Sequence, residues 1–380
     1  MVKSNLNALG IIFPNSYDNM VPELVSYRLM ASIPFASRYR LVDFYLSSMV
    51  NCGISNVSML VRNNYHSLMD HLGSGREWDL ARKNGGLNIF PPYSEKTVKI
   101  YNGKVEGLAS ILNFLKSQKE KYVIMTDANI AVNFDFKAML KKHIESGADV
   151  TIAYAEEEIP EGMMDSHIVA KDLYYTFTLE GTRIKRIYVN SKEKGVQNVS
   201  MNIHIIDKQL LIDLISGAFV RGYTYFDRDV LMPYLNKLDI QAYKYDGYFA
   251  RISSMKSYFE ENMKLLDEKN LDELFAGNSI YTKIRDDNPT RYIEGAKVKN
   301  TMAADGCVIE GEVENCVLFR GVKIGKGAKV KNSVLMQDTV VEANADVEYV
   351  IADKNAVISE GKVVKGTDTL QVFVAKHQTV

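Results

Sequence analysis

The chain has 380 residues, 46% hydrophobic and 24% charged, enough material for two ordinary domains with cores of their own. Its 46 Lys and Arg against 47 Asp and Glu leave a net charge of −1, which argues against a nucleic-acid coat or a polybasic membrane anchor. Cys52, Cys307 and Cys316 make no disulfide framework, and no apolar run approaches the roughly 18 residues of a membrane span, so a cytoplasmic location is expected.

Leu9–Phe13 reads as a buried strand. Tyr39–Asn51 places Leu41, Val42, Tyr45, Leu46 and Met49 on one helical face, and Gly53 ends that helix. Val57–Val61 follows as a strand, Gly107–Leu115 as a helix and Tyr122–Met125 as a strand. Phe136–His143 is a helix stopped by Gly147, and Val150–Tyr154 is a further strand. Near-continuous apolar strands alternating with helices predict an α/β domain, a parallel sheet covered on both faces. Such sheets take ligands beyond the carboxyl ends of their strands, so the segments after Phe13, Val61 and Met125 are where chemistry is to be sought.

After about residue 290 the helical signal vanishes. Glycine is followed at short steps by Val or Ile from Gly306, Gly311, Gly321 and Gly327, and aliphatic pairs stand six apart at Ile324/Val330, Val341/Val347 and Val357/Val363. That period predicts a β-helix, in preference to a sandwich of short strands. The expected division is residues 1–270 for the α/β domain, 271–292 for a joining segment and 293–380 for the β-helix.

Pro34-Phe35-Ala36-Ser37-Arg38-Tyr39-Arg40-Leu41-Val42-Asp43-Phe44-Tyr45-Leu46-Ser47 resembles the first substrate-domain signature of bacterial glucose-1-phosphate adenylyltransferases, the ADP-glucose pyrophosphorylases. Further stretches agree in order and spacing: Gly75–Leu80, Asn84-Gly85-Gly86 with Pro91-Pro92, Ser200-Met201, and Gly247-Tyr248-Phe249 ahead of Glu261-Asn262-Met263. The resemblance covers essentially the whole chain. It implies a Rossmann-like nucleotidyltransferase (GT-A-like) sheet domain followed by a left-handed parallel β-helix of hexapeptide repeats. The family joins ATP to glucose 1-phosphate with release of pyrophosphate. A Gly-rich loop cradles the triphosphate, two carboxylates hold Mg²⁺ and lysines fix the phosphates.

This sequence departs from the family at each of those places. The Gly-rich loop is replaced by Pro14-Asn15-Ser16-Tyr17-Asp18-Asn19, and the phosphate-facing lysine by Met30. The first metal carboxylate falls on Ala128 in Asp127-Ala128-Asn129, the second on Arg251. The sugar-phosphate clamp falls on Val189-Asn190-Ser191. No catalytic residue and no metal ligand is therefore expected in this chain. Asp127 stands one residue early for a ligand and is read as a loop or helix-cap residue at the border of the nucleotide cleft. Asn84-Gly85-Gly86 is most simply a tight turn, though the resemblance implies that this loop borders the nucleotide cleft as well. Arg38 and Arg40 sit where the family places contacts to anionic effectors. His66 and His71 are five apart, which is not the spacing of a helical zinc pair. Trp78 is read as a structural anchor.

The resemblance is strongest to the GlgD-type, non-catalytic member of the family. It implies a regulatory subunit that pairs with a catalytic GlgC-type paralogue in a hetero-oligomer, with Mg²⁺ held by that partner and a small phosphate effector as a further ligand. Two alternatives stay open: an active nucleotidyltransferase with a remodelled metal site, and a stand-alone sugar-phosphate or effector-binding protein. An acyltransferase working through the β-helix is disfavoured, because residues 293–376 contain no histidine.

Overall fold

In the computed structural model, which describes residues 6–92, 101–164 and 173–380, contacts divide the chain into two units. One comprises Met1–Ser32, Val42–Phe249 and Asn278–Tyr281; the other comprises Ile33–Leu41, Ala250–Gly277 and Thr282–Val380. The second unit thus takes in a short hairpin and two helices that precede the β-helix in the chain.

The first unit is built on nine strands. They are β1 (Ala8–Phe13), β2 (Asn56–Leu60), β3 (Gly86–Phe90), β4 (Tyr122–Asp127) and β5 (Val150–Glu158), then β6 (Tyr175–Glu180), β7 (Arg183–Val189), β8 (Val196–Asp207) and β9 (Ile240–Lys244). Their order in the sheet is β3-β2-β1-β4-β8-β5-β9-β7-β6. The first four are mutually parallel, with Gly10 opposite both Val57 and Ile124. Beyond β4 the expectation of a parallel sheet is corrected: β8 runs antiparallel to β4 and β5, and β6 and β7 form a hairpin. For the hairpin, burial accounts for the difference; β8 is buried along most of its length. Every residue of β1 is buried, whereas β6 and β7 bury only part of their residues and carry polar ones between, as antiparallel strands with a wetted face do.

Helix α1 (Leu41–Asn51) starts two residues later than its apolar spacing predicts, because Tyr39-Arg40 pairs with Pro34-Phe35 as a hairpin. It ends on Gly53 at φ 88°, where the Gly53 N–H donates to Val50 O and the Ile54 N–H to Met49 O, closing two terminal carbonyls. The helix expected over Gly107–Leu115 is two, α2 (Lys104–Ser110) and α3 (Leu112–Ser117), broken at Ile111, whose φ of −110° and ψ of 14° leave the helical region. Helix α4 (Phe136–Ser146) is capped by the Asp135 carboxylate and stopped by Gly147. One apolar cluster joins the sheet to α1 and α4 through Tyr45, Leu46, Met49, Met139 and Leu140. The other joins it to α2, α3 and α5 (Lys208–Val220) through Val105, Leu108, Leu115, Leu211 and Ile215. Each such side chain contributes about 1.5–3 kcal/mol by leaving water. The Met49 side chain of α1 fills the space that Gly10 leaves, its sulfur 2.5 Å from where a Cβ would stand.

The second unit is a three-sided parallel β-helix together with the Pro34–Arg40 hairpin and helices α6 (Met255–Lys264) and α7 (Glu268–Phe275). Its coils pair in register: Val313 lies beside Val330 and Val330 beside Val347, and these valines are buried inside the prism. One corner is short, Glu310-Gly311 against Gly325–Ala328 in the next coil, and there a Cβ on Gly311 would reach 2.3 Å from the Ala328 carbonyl oxygen. A second corner is turned by Asn300, Asn315 and Asn332 at φ 42°, 51° and 44°. Their amides bond upward in a ladder, Asn300 Nδ2 to Asn315 Oδ1 at 2.8 Å and Asn315 Nδ2 to Asn332 Oδ1 at 3.3 Å. No helix among the described residues is long and apolar enough to cross a membrane.

Candidate functional site

The carboxyl ends of β1, β2 and β4 give onto a cleft lined by Asn15, Ser16, Arg62, Tyr101, Lys104 and Asp127, among other described residues. Its cavity volume is about 70 Å³. Pockets that enclose a metabolite or nucleotide run to roughly 300–1,000 Å³. Side chains from three segments account for the difference.

The first is the turn after β1. Asn15 is buried; its Oδ1 accepts the Arg62 N–H at 2.8 Å and its Nδ2 donates to Asp18 Oδ2 at 2.8 Å. Arg62 Nη2 donates in turn to the Asn15 carbonyl at 2.7 Å. Asp18 Oδ1 accepts the Met30 N–H at 2.7 Å. Tyr17 sits at φ 67°, a left-handed conformation that costs a non-glycine residue about 1–2 kcal/mol. Its phenol anchors it there, donating to Leu173 O at 2.8 Å and accepting from Asn202 Nδ2 at 2.6 Å. The turn is closed by its own side chains where a glycine loop would leave N–H groups open to an anion.

The second and third segments meet at Asp127, the last residue of β4, which lies beside Phe13 and is 2% exposed. Ser16 Oγ donates to its Oδ1 at 2.7 Å, and Lys104 Nζ to its Oδ2 at 2.9 Å. Lys104 is the first residue of α2 and lies over the Phe13 ring, 5.4 Å from its centroid. The entry of α2 depends on Gly103, where a Cβ would stand 2.3 Å from the Thr224 carbonyl oxygen. Across the cleft, Asp227 lies in a π-helical turn, Phe226–Leu231, and contacts His204 Nε2 at 2.6 Å. Burial works against its charge, but His204 and then Lys104 hold the Asp227 carboxyl below the usual carboxylate range.

The divalent cation that the resemblance implies does not fit these residues. Both Asp127 oxygens already face donors, one of them an ammonium that repels a second cation, and Ala128 is a buried methyl with no oxygen to offer. Among the described residues no three His, Cys, Asp or Glu side chains converge on one point.

The other residues singled out from sequence lie as follows. Met30 is fully buried in a short 3₁₀ turn. Asn190 follows β7 at φ 52° and bonds the Tyr174 backbone, its N–H to Tyr174 O and its Oδ1 from Tyr174 N, both at 3.0 Å. Arg251 is buried and belongs to the second unit. Asn84, Gly85 and Gly86 are not brought together with Asp127, and a shared cleft border is thereby corrected. Asn84 and Gly85 precede β3 and Gly86 opens it, opposite Asn56 at the amino ends of the strands, where the Gly86 N–H donates to Ser55 O and a Cβ on Gly86 would stand 2.5 Å from Leu80 O. Asn84 and Gly85 line an open groove there with Asn7, Asn56, Asn88 and Gln118, of about 690 Å³.

Arg38 and Arg40 flank Tyr39 on the hairpin but do not share an open surface: Arg40 is buried, while the Arg38 side chain is 44% exposed and stands 4.0 Å from Asp305. Within the same unit Arg320, 7% exposed, donates through both Nη atoms to Lys283 O at 3.2 Å. Burial, then the nearby Arg38 and Arg285, lower the Arg320 guanidinium pKa against the pull of Asp287. Three arginines thus bear on one place, where Asp287 stands 3.3 Å from Arg285 and 3.9 Å from Arg320, and Asp305 stands 4.0 Å from Arg38. Sequence reasoning missed Lys104, Asp227, His204, Arg285 and Arg320, none of which stands in a motif. The glycine ahead of Lys104 was the one local signal. His71 does not bind a metal partner histidine; it contacts Asp43 at 2.6 Å and packs edge-on to the buried Trp78, at 5.8 Å between ring centroids.

Comparison with known proteins agrees with both units. Residues 26–163 match the family model described as nucleotidyl transferase, and residues 285–372 match that of the GlmU-like C-terminal hexapeptide, in keeping with a left-handed β-helix. The chain is 34% identical to the glycogen biosynthesis protein GlgD of Bacillus subtilis over 365 residues, 96% of this chain and 94% of that one. It is 37% identical to GlgD of Geobacillus stearothermophilus over 332 residues, 86% and 83% of the two chains. A glucose-1-phosphate adenylyltransferase of Bacillus cytotoxicus is 30% identical over 388 residues, 99% and 100% of the two chains.

Proposed function

From the premise that the chain belongs to the glucose-1-phosphate adenylyltransferase family, with relatives named GlgD among its matches, we propose that it is a regulatory, catalytically impaired subunit. It supports ADP-glucose synthesis, and so glycogen biosynthesis, by a catalytic paralogue of the GlgC type with which it forms a hetero-oligomer. The observation that carries this reading is the cleft: about 70 Å³ of space, with Asp127 taken up by Ser16 and Lys104. In the proposed assembly Mg²⁺ belongs to the paralogue. This chain contributes a coupling free energy of about 1–3 kcal/mol between states of its partner that bind substrate unequally. A phosphate effector that competes with Asp287 and Asp305 for Arg38, Arg285 and Arg320 biases those states.

The test is pyrophosphate release from ATP and glucose 1-phosphate with Mg²⁺, by this chain alone, by the catalytic paralogue alone and by the two mixed. The expected result is no turnover alone and a raised rate or altered effector response in the mixture. Turnover by this chain alone overturns the reading. Replacing Arg38 and Arg320 by Ala is expected to abolish the effector response of the mixture without lowering its basal rate; an unchanged response removes the effector site.

A further inference from the structure

The β-helix ends, at its first coil, on an edge with nothing paired to it. Among the described residues, the strand Lys297–Ala303 pairs on one side only, with Glu312–Leu318, and Arg291-Tyr292 pairs only with Val308-Ile309. The prism is open there. Val298 is 37% exposed, whereas its counterparts in the following coils, Val313, Val330 and Val347, are at most 1% exposed.

The outward residues beside these valines follow a rule. The first four coils carry, in register, Lys297-Val298-Lys299, then Glu312-Val313-Glu314, Lys329-Val330-Lys331 and Asp346-Val347-Glu348, and the fifth, Val363-Val364-Lys365, keeps one lysine. Lysine pairs thus alternate with acidic pairs about a buried valine. Contacts join the layers: Lys297 to Glu312 at 2.7 Å, Lys299 to Glu314 at 2.9 Å and Lys331 to Glu314 at 3.7 Å. Continued one step outward past Lys297 and Lys299, the rule calls for an acidic layer, and none of the described residues supplies one.

We propose that this edge is a docking site for an extended strand of a different chain, one that carries carboxylates two residues apart about an aliphatic residue, as Glu312-Val313-Glu314 does. The aliphatic residue covers Val298 and the carboxylates meet Lys297 and Lys299, while backbone groups pair along the strand. A second copy of this chain does not fit. Antiparallel pairing of two copies about Val298 sets Lys297 of one against Lys299 of the other, and like charges directly opposite are destabilising. The edge therefore refuses itself and accepts a complement. This deepens the assembly reading above, on which it rests for the partner being another chain.

The experiment uses full-length chains and sedimentation velocity at low and high salt. The charge-reversed variant K297E/K299E is mixed with the unaltered chain, and each is also run alone. The expected result is an added association step only in the mixture, weakened by salt. A mixture that sediments as the sum of its parts overturns the proposal. So does self-association of the unaltered chain that K297E/K299E abolishes. The catalytic paralogue is then titrated with the unaltered chain, with K297E/K299E and with the neutral K297Q/K299Q, whose unchanged thermal melting controls for folding. Binding weakened about tenfold or more by reversal, and less by neutralisation, supports the edge. Equal binding by all three overturns the edge and leaves the regulatory-subunit reading intact; absence of binding by the unaltered chain overturns that reading, and with it the identity of the partner.

Discussion

In the cleft each polar contact occurs once, and several join residues far apart in the chain: Asn15 to Arg62, Ser16 to Asp127, Tyr17 to Asn202. In the β-helix the same contact returns coil after coil, as in the ladder of Asn300, Asn315 and Asn332 and the alternating lysine and acidic layers. A repeated contact has neighbours that take up part of its loss, whereas a single one has no substitute. Substitutions of similar size are therefore expected to act differently in the two places. The exceptions are positions where backbone meets backbone.

The largest expected effect lies at such an exception. Gly311→Ala drives a Cβ against the Ala328 carbonyl oxygen, which retreats only if two coils part, and a loss of about 3 kcal/mol in urea unfolding is expected. Gly295→Ala, at a corner with no atom within 4 Å, is the control and is expected to lose only about 1–2 kcal/mol from its left-handed φ. Equal losses at the two would show that conformation, not contact, governs the corners.

Asp127→Ala comes next. It leaves the Lys104 ammonium, 18% exposed, without its partner, at a cost of about 2 kcal/mol, below the 3–5 of a fully buried pair. Removing both charges in K104M/D127L is expected to restore most of that loss. A double variant no more stable than Asp127→Ala would mean that the ion pair is not the contact that counts. In the ladder, Asn315→Ala is expected to lose about 1 kcal/mol, since Asn tolerates the left-handed φ better than Ala and its amide bonds are lost, and Asn315→Gly less.

The smallest effect is one of pH. His143 is buried against the Thr151 hydroxyl at 2.8 Å, and burial lowers its pKa from the usual histidine value. The folded chain thus takes up the proton less readily than the unfolded one. Stability is complete above the unfolded value of about 6.5 and is lost as the pH falls through the lower folded value. His143→Gln is expected to flatten urea midpoints across that range; an unflattened profile would assign the slope to another group.

The same difference between regions decides what could be read in advance. The β-helix was legible because its rule is local: glycine and asparagine at corners and aliphatic residues six apart recur within a few dozen residues. Strands β1, β2 and β4 and helices α1 and α4 were legible from apolar runs, Gly53 and Gly147. The antiparallel part of the sheet was not, since β6 and β7 carry mixed apolar and polar residues in short stretches. In the cleft, the loss of glycines after Phe13 and the alanine at 128 were visible, but Lys104 is one lysine among many until Gly103 and Thr224 bring α2 to Asp127. Long-range pairing of this kind leaves no periodic trace. Asn84, Gly85 and Gly86 were legible as a tight turn, which positive φ and close backbone require; the place at the cleft border came from the resemblance alone.

The central claim is that the chain's own side chains close its cleft to nucleotide. Equilibrium dialysis of the isolated chain against ATP with Mg²⁺ tests it most directly. No saturable binding is expected up to millimolar ATP. Binding of one ATP per chain at micromolar concentration, abolished by a bulky residue in place of Ser16, would contradict it.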